Sequence, residues 1–415
     1  CEHRDVRCAE HALFLVRARP SPSRLDRRNP NIPCTLRETS PRSIARKGVV
    51  FVPKLRVGVI GAGMAFERLH YPAYSKLAET YEIVAVCDPD QGKLSKWRGR
   101  LGLSPQDLHT GWEAIVARDD VDVYDIMVPI ELNYAVTEAV AKRLSGKRKA
   151  IICEKPLAGS FKDALSAREL AQRYQIPILI AENYRYNEET NIVRQLVADR
   201  RVGDAVYFLY NRVMDFPQEM WNDAFPAKDW RQYPEYPGGA ITDSAVHDLA
   251  AIRHIFGAID RLHAFGHPQD EEFSPYSAIA VNMLFNSGVV GQFSFFCSGK
   301  EAQRPAVGFR IFGTSGMIYL ESRDAGVIHI AHNDGRTEGV PFEPQKGYYN
   351  ELLNLANAMA GKEPISVPPE MEYGDLKTVR DILKSIQEQK VVTVDKTPDY
   401  TPDYSQTGVH LPFMH

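Results

Sequence analysis

A strand, a glycine turn, a helix and a second strand follow one another near residue 55, and this order constrains the fold more than any other feature. The run from Leu55 to Ile60 is apolar and partly β-branched, which predicts a buried strand. Gly61-Ala62-Gly63 follows and predicts a turn into a helix. The run from Glu82 to Asp90 then predicts a second strand. Strands joined by helices usually pair in parallel, so the sequence predicts an α/β fold.

The glycine turn has the features of a dinucleotide-binding site. Gly61 permits the tight turn, and Gly63 lets the backbone approach a pyrophosphate. The helix that begins with Met64 and Ala65 supplies backbone N–H groups and the positive end of its dipole. We therefore assign these four residues to a cofactor site. Phe66 stands where the third glycine of the motif is expected, so the motif is partial.

Asp88 extends this dinucleotide-binding pattern. It ends the second strand, 22 residues beyond position 66, about where an acidic residue meets the adenosine ribose. Its charge would repel the 2′-phosphate of NADP(H), so we expect NAD(H) as the preferred cofactor and NADP(H) as the alternative. The competing interpretation is an aspartate that stabilises a turn before Pro89.

The alternation of strands and helices continues to residue 183. Further apolar runs predict strands at Val121–Pro129, at Ile151–Cys153 and at Ile176–Asn183, with helical patterns between them. This alternation predicts a parallel, doubly wound sheet, and we take residues 51–183 as an N-terminal Rossmann domain. Pro129 ends its strand at the edge where ligands bind in such sheets, so we assign it to the cofactor site.

The strand that begins at Ile151 ends abruptly in charge. Glu154 and Lys155 follow its apolar residues, and Pro156 cannot extend the strand. Because ligands lie outside the carboxyl ends of parallel strands, this pair is placed to contact a cofactor and a substrate together. The competing interpretation is a solvated strand end that the proline closes.

The second half of the chain has a different pattern. Runs with a period near two, joined by turn sequences such as Asn286-Ser287-Gly288, predict a mostly antiparallel sheet in residues 184–395. Two amphipathic helices, Tyr348–Ala360 and Gly374–Gln389, follow these strands, and helices would cover one face of the sheet. The other face is rich in Phe, Tyr and Val, so we expect a homodimer or homotetramer formed through this sheet.

A second polar cluster lies in the sequence GGAITDSAVHDL. Gly238-Gly239 interrupts the chain before a helix that is predicted to begin near Thr242 or Asp243 and to end at Gly257. Asp243 and His247 are four residues apart, so they share one face of that helix, away from its buried stripe. A solvated helix face is the competing interpretation. His254 lies roughly 10 Å further along, too far to share a metal ion, so we predict no metal site.

Composition bears on partners and compartment. The 415 residues carry a net charge of −3 and contain no apolar run as long as a membrane helix, so nucleic-acid and membrane partners are not expected. The six cysteines form no CxxC pair, which favours a reducing, cytoplasmic setting.

Residues 1–50 are rich in Arg, Pro and Ser without periodicity. We expect a disordered or non-native extension there, with a basic targeting segment as the alternative, and a tail at residues 396–415.

Taken together, these motifs resemble the glucose–fructose oxidoreductase / inositol dehydrogenase / MocA (Gfo/Idh/MocA) family of oxidoreductases. The resemblance implies a Rossmann domain followed by an α/β domain with an open, mostly antiparallel sheet. The matching segments cover roughly residues 54–395 in the family's order: VGVIGAG, the strand end at Asp88, Pro129, EKPLAGS, NYRY at Asn183–Tyr186, and GGAITDSAVHDL.

The resemblance also implies roles for individual residues. Lys155, Asp243 and His247 would line the active site beside the nicotinamide, and Glu154 would meet the nicotinamide ribose. The sequence departs from the family pattern elsewhere. Asn133 stands where many members have His, and Ala250 stands where many have Asp, so the fine substrate contacts differ.

The implied chemistry is hydride transfer between a nicotinamide and a hydroxyl or carbonyl group of a sugar, a sugar derivative or an inositol. His247 would accept the proton, because imidazole is the side chain that exchanges protons near neutral pH. Lys155 would hydrogen-bond the reacting oxygen. Asp243 would anchor a neighbouring hydroxyl or orient His247. The candidate substrate contacts are Arg185, Tyr186, Trp230 and Arg231.

Two other functions are compatible with the same fold. One is a redox-neutral glycoside cleavage that uses tightly held NAD by transient oxidation of the sugar ring. The other is a non-enzymatic, NAD-binding regulator. The joint presence of Lys155, Asp243 and His247 argues against the regulator.

Overall fold

The computed structural model describes residues 53–221, 229–269, 273–300, 302–303 and 307–394. The predicted extension, residues 1–50, and the predicted tail, residues 396–415, lie outside these ranges. The elements described below all belong to one compact unit that begins at Val52.

Strands and helices alternate through the first half of the described chain. The strands are β1 (Leu55–Ile60), β2 (Tyr81–Cys87), β3 (Leu108–His109), β4 (Val123–Ile126), β5 (Ala150–Glu154) and β6 (Ile178–Ala181). The helices are α1 (Tyr71–Lys76), α2 (Gln91–Leu101), α3 (Trp112–Val116), α4 (Ile130–Leu144), α5 (Phe161–Ala167) and α6 (Leu170–Tyr174). The strands form one parallel sheet in the order β3-β2-β1-β4-β5-β6, so the predicted Rossmann sheet is confirmed.

The glycine turn after β1 is fixed by close backbone packing. Gly61 has a φ of 96°, and a Cβ atom there would lie 2.3 Å from the carbonyl oxygen of Met127. Only glycine satisfies both conditions. A π-helical turn, Phe66–His70, then leads into α1. Phe66, which replaces the third glycine, is fully buried, and its ring centroid lies 4.4 Å from that of Trp97 on α2.

The second half of the described chain forms a nine-stranded sheet. Its strands are β7 (Ala205–Val213), β8 (Ile259–Pro268), β9 (Tyr276–Phe285), β10 (Val290–Phe296), β11 (Gly308–Gly313), β12 (Gly316–Leu320), β13 (Val327–His332), β14 (Thr337–Pro341) and β15 (Val392–Thr393). Their order is β14-β13-β12-β11-β7-β10-β9-β8-β15, and only the β7–β10 pair is parallel. The predicted open, mostly antiparallel sheet is confirmed.

The later helices pack against the second sheet and also against the first. They are α7 (Asn183–Tyr186), α8 (Glu188–Ala198), α9 (Phe216–Trp221), α10 (Asp229–Gln232), α11 (Val246–Phe256), α12 (Gly347–Met359) and α13 (Pro369–Glu388). The apolar stripe of α11 packs in the core of the second sheet, with Val246, Leu249 and Ile252 fully buried. On α12, by contrast, Leu352 belongs to the core of the first sheet, and the Tyr81 hydroxyl donates to its carbonyl oxygen at 2.6 Å.

In the described ranges, no helix combines the length and the apolar composition that a membrane crossing needs. Cys87, Cys153 and Cys297 are buried. Burial raises the pKa of Cys87 and that of Cys153 to about 12, so both behave as small apolar side chains.

Candidate active site

The end of β5 and the turn before α11 bring Lys155 and Asp243 together. Nζ of Lys155 donates to Oδ1 of Asp243 at 3.1 Å and to its backbone oxygen at 2.5 Å. Nε of Arg231 donates to Oδ2 of the same carboxylate at 2.9 Å. Burial alone would raise the pKa of Asp243, but Arg231 and Lys155 outweigh it and hold that pKa well below its ordinary range. The site therefore holds an ionised, buried carboxylate between two cations.

The Gly238-Gly239 break makes this approach possible. Both glycines have positive φ, 87° and 50°, and a Cβ atom at Gly239 would lie 2.2 Å from the carbonyl oxygen of Phe273. The chain then passes through a π-helical turn, Ile241–Ala245, before α11 begins. Such turns often occur at functional sites, and this one carries Asp243.

His247 is held by a residue that the sequence analysis did not select. Its Nδ1 atom lies 2.7 Å from Oε1 of Glu182, which is fully buried and follows β6. Burial alone would raise the pKa of Glu182, but His247 and Lys155 lower it, so the carboxylate stays charged. Tyr184 stacks on the imidazole with ring centroids 4.6 Å apart. The residue that orients His247 is thus Glu182, and the alternative role given to Asp243, orientation of His247, is wrong.

Glu154 is also held by a histidine that the sequence analysis missed. His70 lies between two carboxylates, with Nε2 3.0 Å from Oε1 of Glu154 and Nδ1 2.9 Å from Oδ2 of Asp125. Burial alone would lower the pKa of His70, but the two acids outweigh it and raise that pKa well above its ordinary value. Nδ2 of Asn133 donates to the backbone oxygens of Glu154 and Pro156, so the strand end is fixed from both sides.

The predicted dinucleotide contacts lie at the carboxyl ends of β1, β2 and β4. The first helical residues, Met64 and Ala65, are partly exposed, and Pro129 directly precedes α4. The nearest heavy atom to a Cβ atom at Gly63 would be Nζ of Lys93 at 4.0 Å, so there is open space over this backbone. A pyrophosphate can therefore approach the backbone at this glycine, as the interpretation of the motif requires.

Asp88 contacts both the glycine turn and a lysine of α2. Its Oδ2 atom accepts a hydrogen bond from the backbone N–H of Ala62 at 2.9 Å, and Nζ of Lys93 lies 3.2 Å from the same oxygen. The aspartate therefore ties the end of β2 to the glycine turn, beside a lysine with a partly exposed side chain. The glycine cradle and this carboxylate together fit the ribose and pyrophosphate of a nicotinamide dinucleotide.

The four predicted substrate contacts lie in different environments. Arg185 and Tyr186 are buried: Arg185 donates from Nε and Nη2 to Asp375, and the Tyr186 hydroxyl donates to Oδ1 of Asn354. Their assignment as substrate contacts is therefore corrected, because both side chains are buried and hydrogen-bond to other side chains of the protein. Arg231 instead donates a hydrogen bond to the carboxylate of Asp243. The side chain of Trp230 lies outside the described part of the structure.

His254, the second histidine considered on the helix face, is buried, with Nε2 2.9 Å from Oδ1 of Asn191. Among the residues that the structure describes, no three His, Cys, Asp or Glu side chains are grouped so that they could hold a metal ion.

Comparison with known proteins identifies the family. Residues 55–181 match the profile of the oxidoreductase family with an NAD-binding Rossmann fold, and residues 190–319 match the Gfo/Idh/MocA C-terminal domain. The two matches together span more than half of the chain. The protein belongs to the Gfo/Idh/MocA family of oxidoreductases, as the sequence motifs predicted.

Individual relatives are distant but extend over most of the chain. An uncharacterised protein of Saccharomyces cerevisiae is 24% identical over 319 residues, which cover 74% of this chain and 88% of that protein. The 1,5-anhydro-D-fructose reductase of Ensifer adhaerens is 24% identical over 286 residues, which cover 66% of this chain and 80% of that protein. The solved structure of levoglucosan dehydrogenase with NADH and L-sorbose superposes with a TM-score of 0.73 at 19% identity, covering 83% of this chain and all of that one.

Proposed function

We propose that this protein transfers a hydride between NAD(H) and a hydroxyl or carbonyl group of a sugar, a sugar derivative or an inositol. The observation that carries the proposal is the convergence of Lys155, Asp243 and the Glu182–His247 pair beside the carboxyl ends of β5 and β6. Ligands bind at this edge in open α/β sheets. The names of the relatives support a sugar derivative as the substrate, since one is a reductase of 1,5-anhydro-D-fructose and another a dehydrogenase of levoglucosan.

The side chains have distinct roles in this proposal. When bound, the nicotinamide supplies the hydride acceptor or donor. Glu182 accepts the hydrogen bond from Nδ1–H of His247, which leaves the lone pair of Nε2 to take the proton of the substrate hydroxyl. Lys155 donates a hydrogen bond to the reacting oxygen and stabilises the negative charge that develops on it. Asp243 positions Lys155 by accepting its hydrogen bond, and Arg231 holds Asp243 in place.

The cofactor preference rests on Asp88. Its carboxylate would lie beside the 2′ position of the adenosine ribose, where a phosphate would be repelled. Lys93 reduces this repulsion, because its ammonium group lies 3.2 Å from the carboxylate. We therefore propose NAD(H) as the preferred cofactor, with NADP(H) accepted more weakly.

Assembly through the second sheet remains part of the proposal. The face of this sheet away from α11 carries exposed apolar side chains, among them Phe265 on β8 and Val290 on β10. A second copy of the chain would cover them in a homodimer or homotetramer. Light scattering should show a mass of two or four chains, and Phe265→Lys should lower it. A monomeric wild type would contradict this assembly.

The test of the function is a screen of sugars, sugar derivatives and inositols with NAD⁺, followed by NADH absorbance. Formation of NADH with at least one of them, at a rate proportional to protein, is the expected result. Products without net NADH, with NAD retained through purification, would instead identify the redox-neutral glycoside cleavage. Bound NAD without turnover of any compound would favour the regulator.

A further inference from the structure

A cavity of about 530 Å³ lies beside the candidate active site. It is bounded on one side by α1, through Pro72 and Lys76, and on the other by the second sheet, through Arg212 on β7 and Phe309 on β11. Tyr184 lines it as well. The cavity thus separates the Rossmann part from the sheet, at the place where the stacking partner of His247 stands.

The charge of this cavity is mainly positive. Arg68, Lys76, Arg212 and Arg323 line it, against the two carboxylates Glu189 and Asp324. Glu189 is already paired, since Oε1 accepts from Nη1 of Arg323 at 2.8 Å. Asp324 accepts a hydrogen bond from Nε2 of Gln345. Among the residues that line the cavity, the four basic side chains therefore outnumber the two carboxylates.

Arg212 is the part of this wall that most needs an anion. It is partly buried, and in the part of the chain that the structure describes its guanidinium forms no ion pair and no hydrogen bond. Asp248 acts on it electrostatically, but the carboxylate of Asp248 accepts a hydrogen bond from the hydroxyl of Tyr210 at 2.6 Å and lies 3.9 Å from Nη2 of Arg323. A guanidinium presents a planar fork of N–H donors that matches a carboxylate or a phosphate.

Tyr184 connects the cavity to the catalytic histidine. The guanidinium carbon of Arg323 lies 3.4 Å from the centroid of the Tyr184 ring, and the His247 centroid lies 4.6 Å from it. Two planar groups cannot both lie that close to one face of a ring, so they lie on opposite faces. A ligand held by the arginines would therefore lie one ring away from the proton acceptor.

We propose that the substrate carries an anionic group, a carboxylate or a phosphate, which binds in this cavity with Arg212 as its principal ligand. Arg323 is the second cation beside it, held in place by Glu189 and by the Tyr210 hydroxyl. This inference rests on the proposed function and narrows its substrate class. The neutral part of the sugar then extends past Tyr184 towards Lys155 and His247.

The test compares matched substrates on two variants. A neutral hexose, its 6-phosphate and its uronic acid are offered with NAD⁺ to the wild type, to Arg212→Met and to the control Arg261→Met. Arg261 lies on β8 with an exposed side chain, outside the cavity. One anionic substrate should exceed the neutral hexose in kcat/KM by about 10-fold or more, and Arg212→Met should lose about 10- to 100-fold on that substrate only. Which anion is favoured identifies carboxylate or phosphate.

A binding measurement separates this inference from the proposed function. Calorimetric titration of inorganic phosphate and of glucuronate into the NAD⁺-saturated protein should show binding that Arg212→Met abolishes and Arg261→Met retains. Turnover of neutral sugars with no advantage for anions, and an equal effect of Arg212→Met on both classes, would overturn the inference and leave the oxidoreductase intact. Anion binding that depends on Arg212, without NADH formation from any sugar, would overturn the oxidoreductase and leave the anion site intact.

Discussion

Oε1 of Glu182 lies 2.7 Å from Nδ1 of His247, and the two residues are 65 positions apart in the sequence. Glu182 follows the last strand of the parallel sheet, whereas His247 stands near the start of α11. This hydrogen bond therefore joins the two halves of the chain at the point where the proposed reaction takes place. It also fixes the imidazole tautomer, which leaves Nε2 as the proton acceptor.

Glu182→Gln should lower kcat/KM for alcohol oxidation by about 10- to 100-fold, the range typical of residues that orient a catalytic ligand. The amide can donate as well as accept, so the tautomer of His247 is no longer fixed. The dissociation constant of NAD⁺, measured by fluorescence titration, should not change.

Glu351→Gln provides the matched control for this prediction. Burial raises the pKa of Glu351 well above its ordinary value, which favours its neutral form, and glutamine has nearly the same shape. We expect full activity from this variant. Equal losses in the two variants would mean that Glu182 acts only in packing.

The sequence predicted the fold well because both sheets have clear periods. The apolar strands of the first half and the alternating strands of the second half appear where the patterns indicated. Short strands were missed: β3 has two residues, and β14 carries Glu338 and Gly339, so neither gives an apolar pattern.

The candidate site was predicted only where a motif exposed it. Lys155 and Asp243 stand in recognisable sequences, and the structure brings them within hydrogen-bond distance. Glu182 and His70 have no such motif, because their importance comes from partners far along the chain. A usable signal for Glu182 was present: it follows a buried strand at the same edge as Glu154. Arg185 was misassigned because its partner, Asp375, is 190 residues away.

The two glycines of the turn after β1 should respond differently to alanine. Gly61→Ala should destabilise the protein, since the residue has positive φ and its Cβ atom would meet the Met127 carbonyl oxygen at 2.3 Å. Gly63→Ala should fold normally, since its Cβ atom has open space, yet bind NAD⁺ more weakly because the pyrophosphate approaches there. Thermal unfolding and NAD⁺ titration of both variants test this. A Gly63→Ala protein with unchanged NAD⁺ affinity would place the pyrophosphate elsewhere.

Asp88 and Lys93 should have opposite effects on cofactor choice. Asp88→Ser should weaken NAD(H) binding and relax discrimination against NADP(H), since the repelling carboxylate is lost. Lys93→Met should sharpen discrimination, because the cation 3.2 Å from that carboxylate no longer offsets its charge. The ratio of dissociation constants for NADH and NADPH measures both effects. Tighter NADPH binding by the wild type would show that Asp88 does not face the ribose.

Asp243 should contribute stability that depends on pH. Its pKa is lowered in the folded protein, so the contribution is present above the unfolded value and is lost as the pH falls below about 4. Asp243→Asn leaves Lys155 and Arg231 without their carboxylate, and we expect a loss of about 3–5 kcal/mol in the free energy of unfolding at pH 7.

The difference in unfolding free energy between wild type and Asp243→Asn should shrink as the pH falls from 5 towards 3, at about the ordinary pKa of an aspartate. Urea unfolding at several pH values measures it. Asp334→Asn is the control, because that aspartate forms an exposed ion pair with Arg336 and should matter little at any pH. A difference that grows on acidification would contradict an ionised Asp243.

Lys155, Asp243 and His247 are proposed to act as one set, and removal of the proton acceptor tests this most directly. The measurement is kcat/KM of His247→Asn for oxidation of the best substrate, across a range of pH, with the NAD⁺ dissociation constant measured in parallel. We predict a decrease of at least about 10²-fold, unchanged NAD⁺ binding, and loss of the fall in rate on the acid side that protonation of the acceptor causes. Near-normal turnover with an unchanged pH profile would contradict the assignment of His247 as the base.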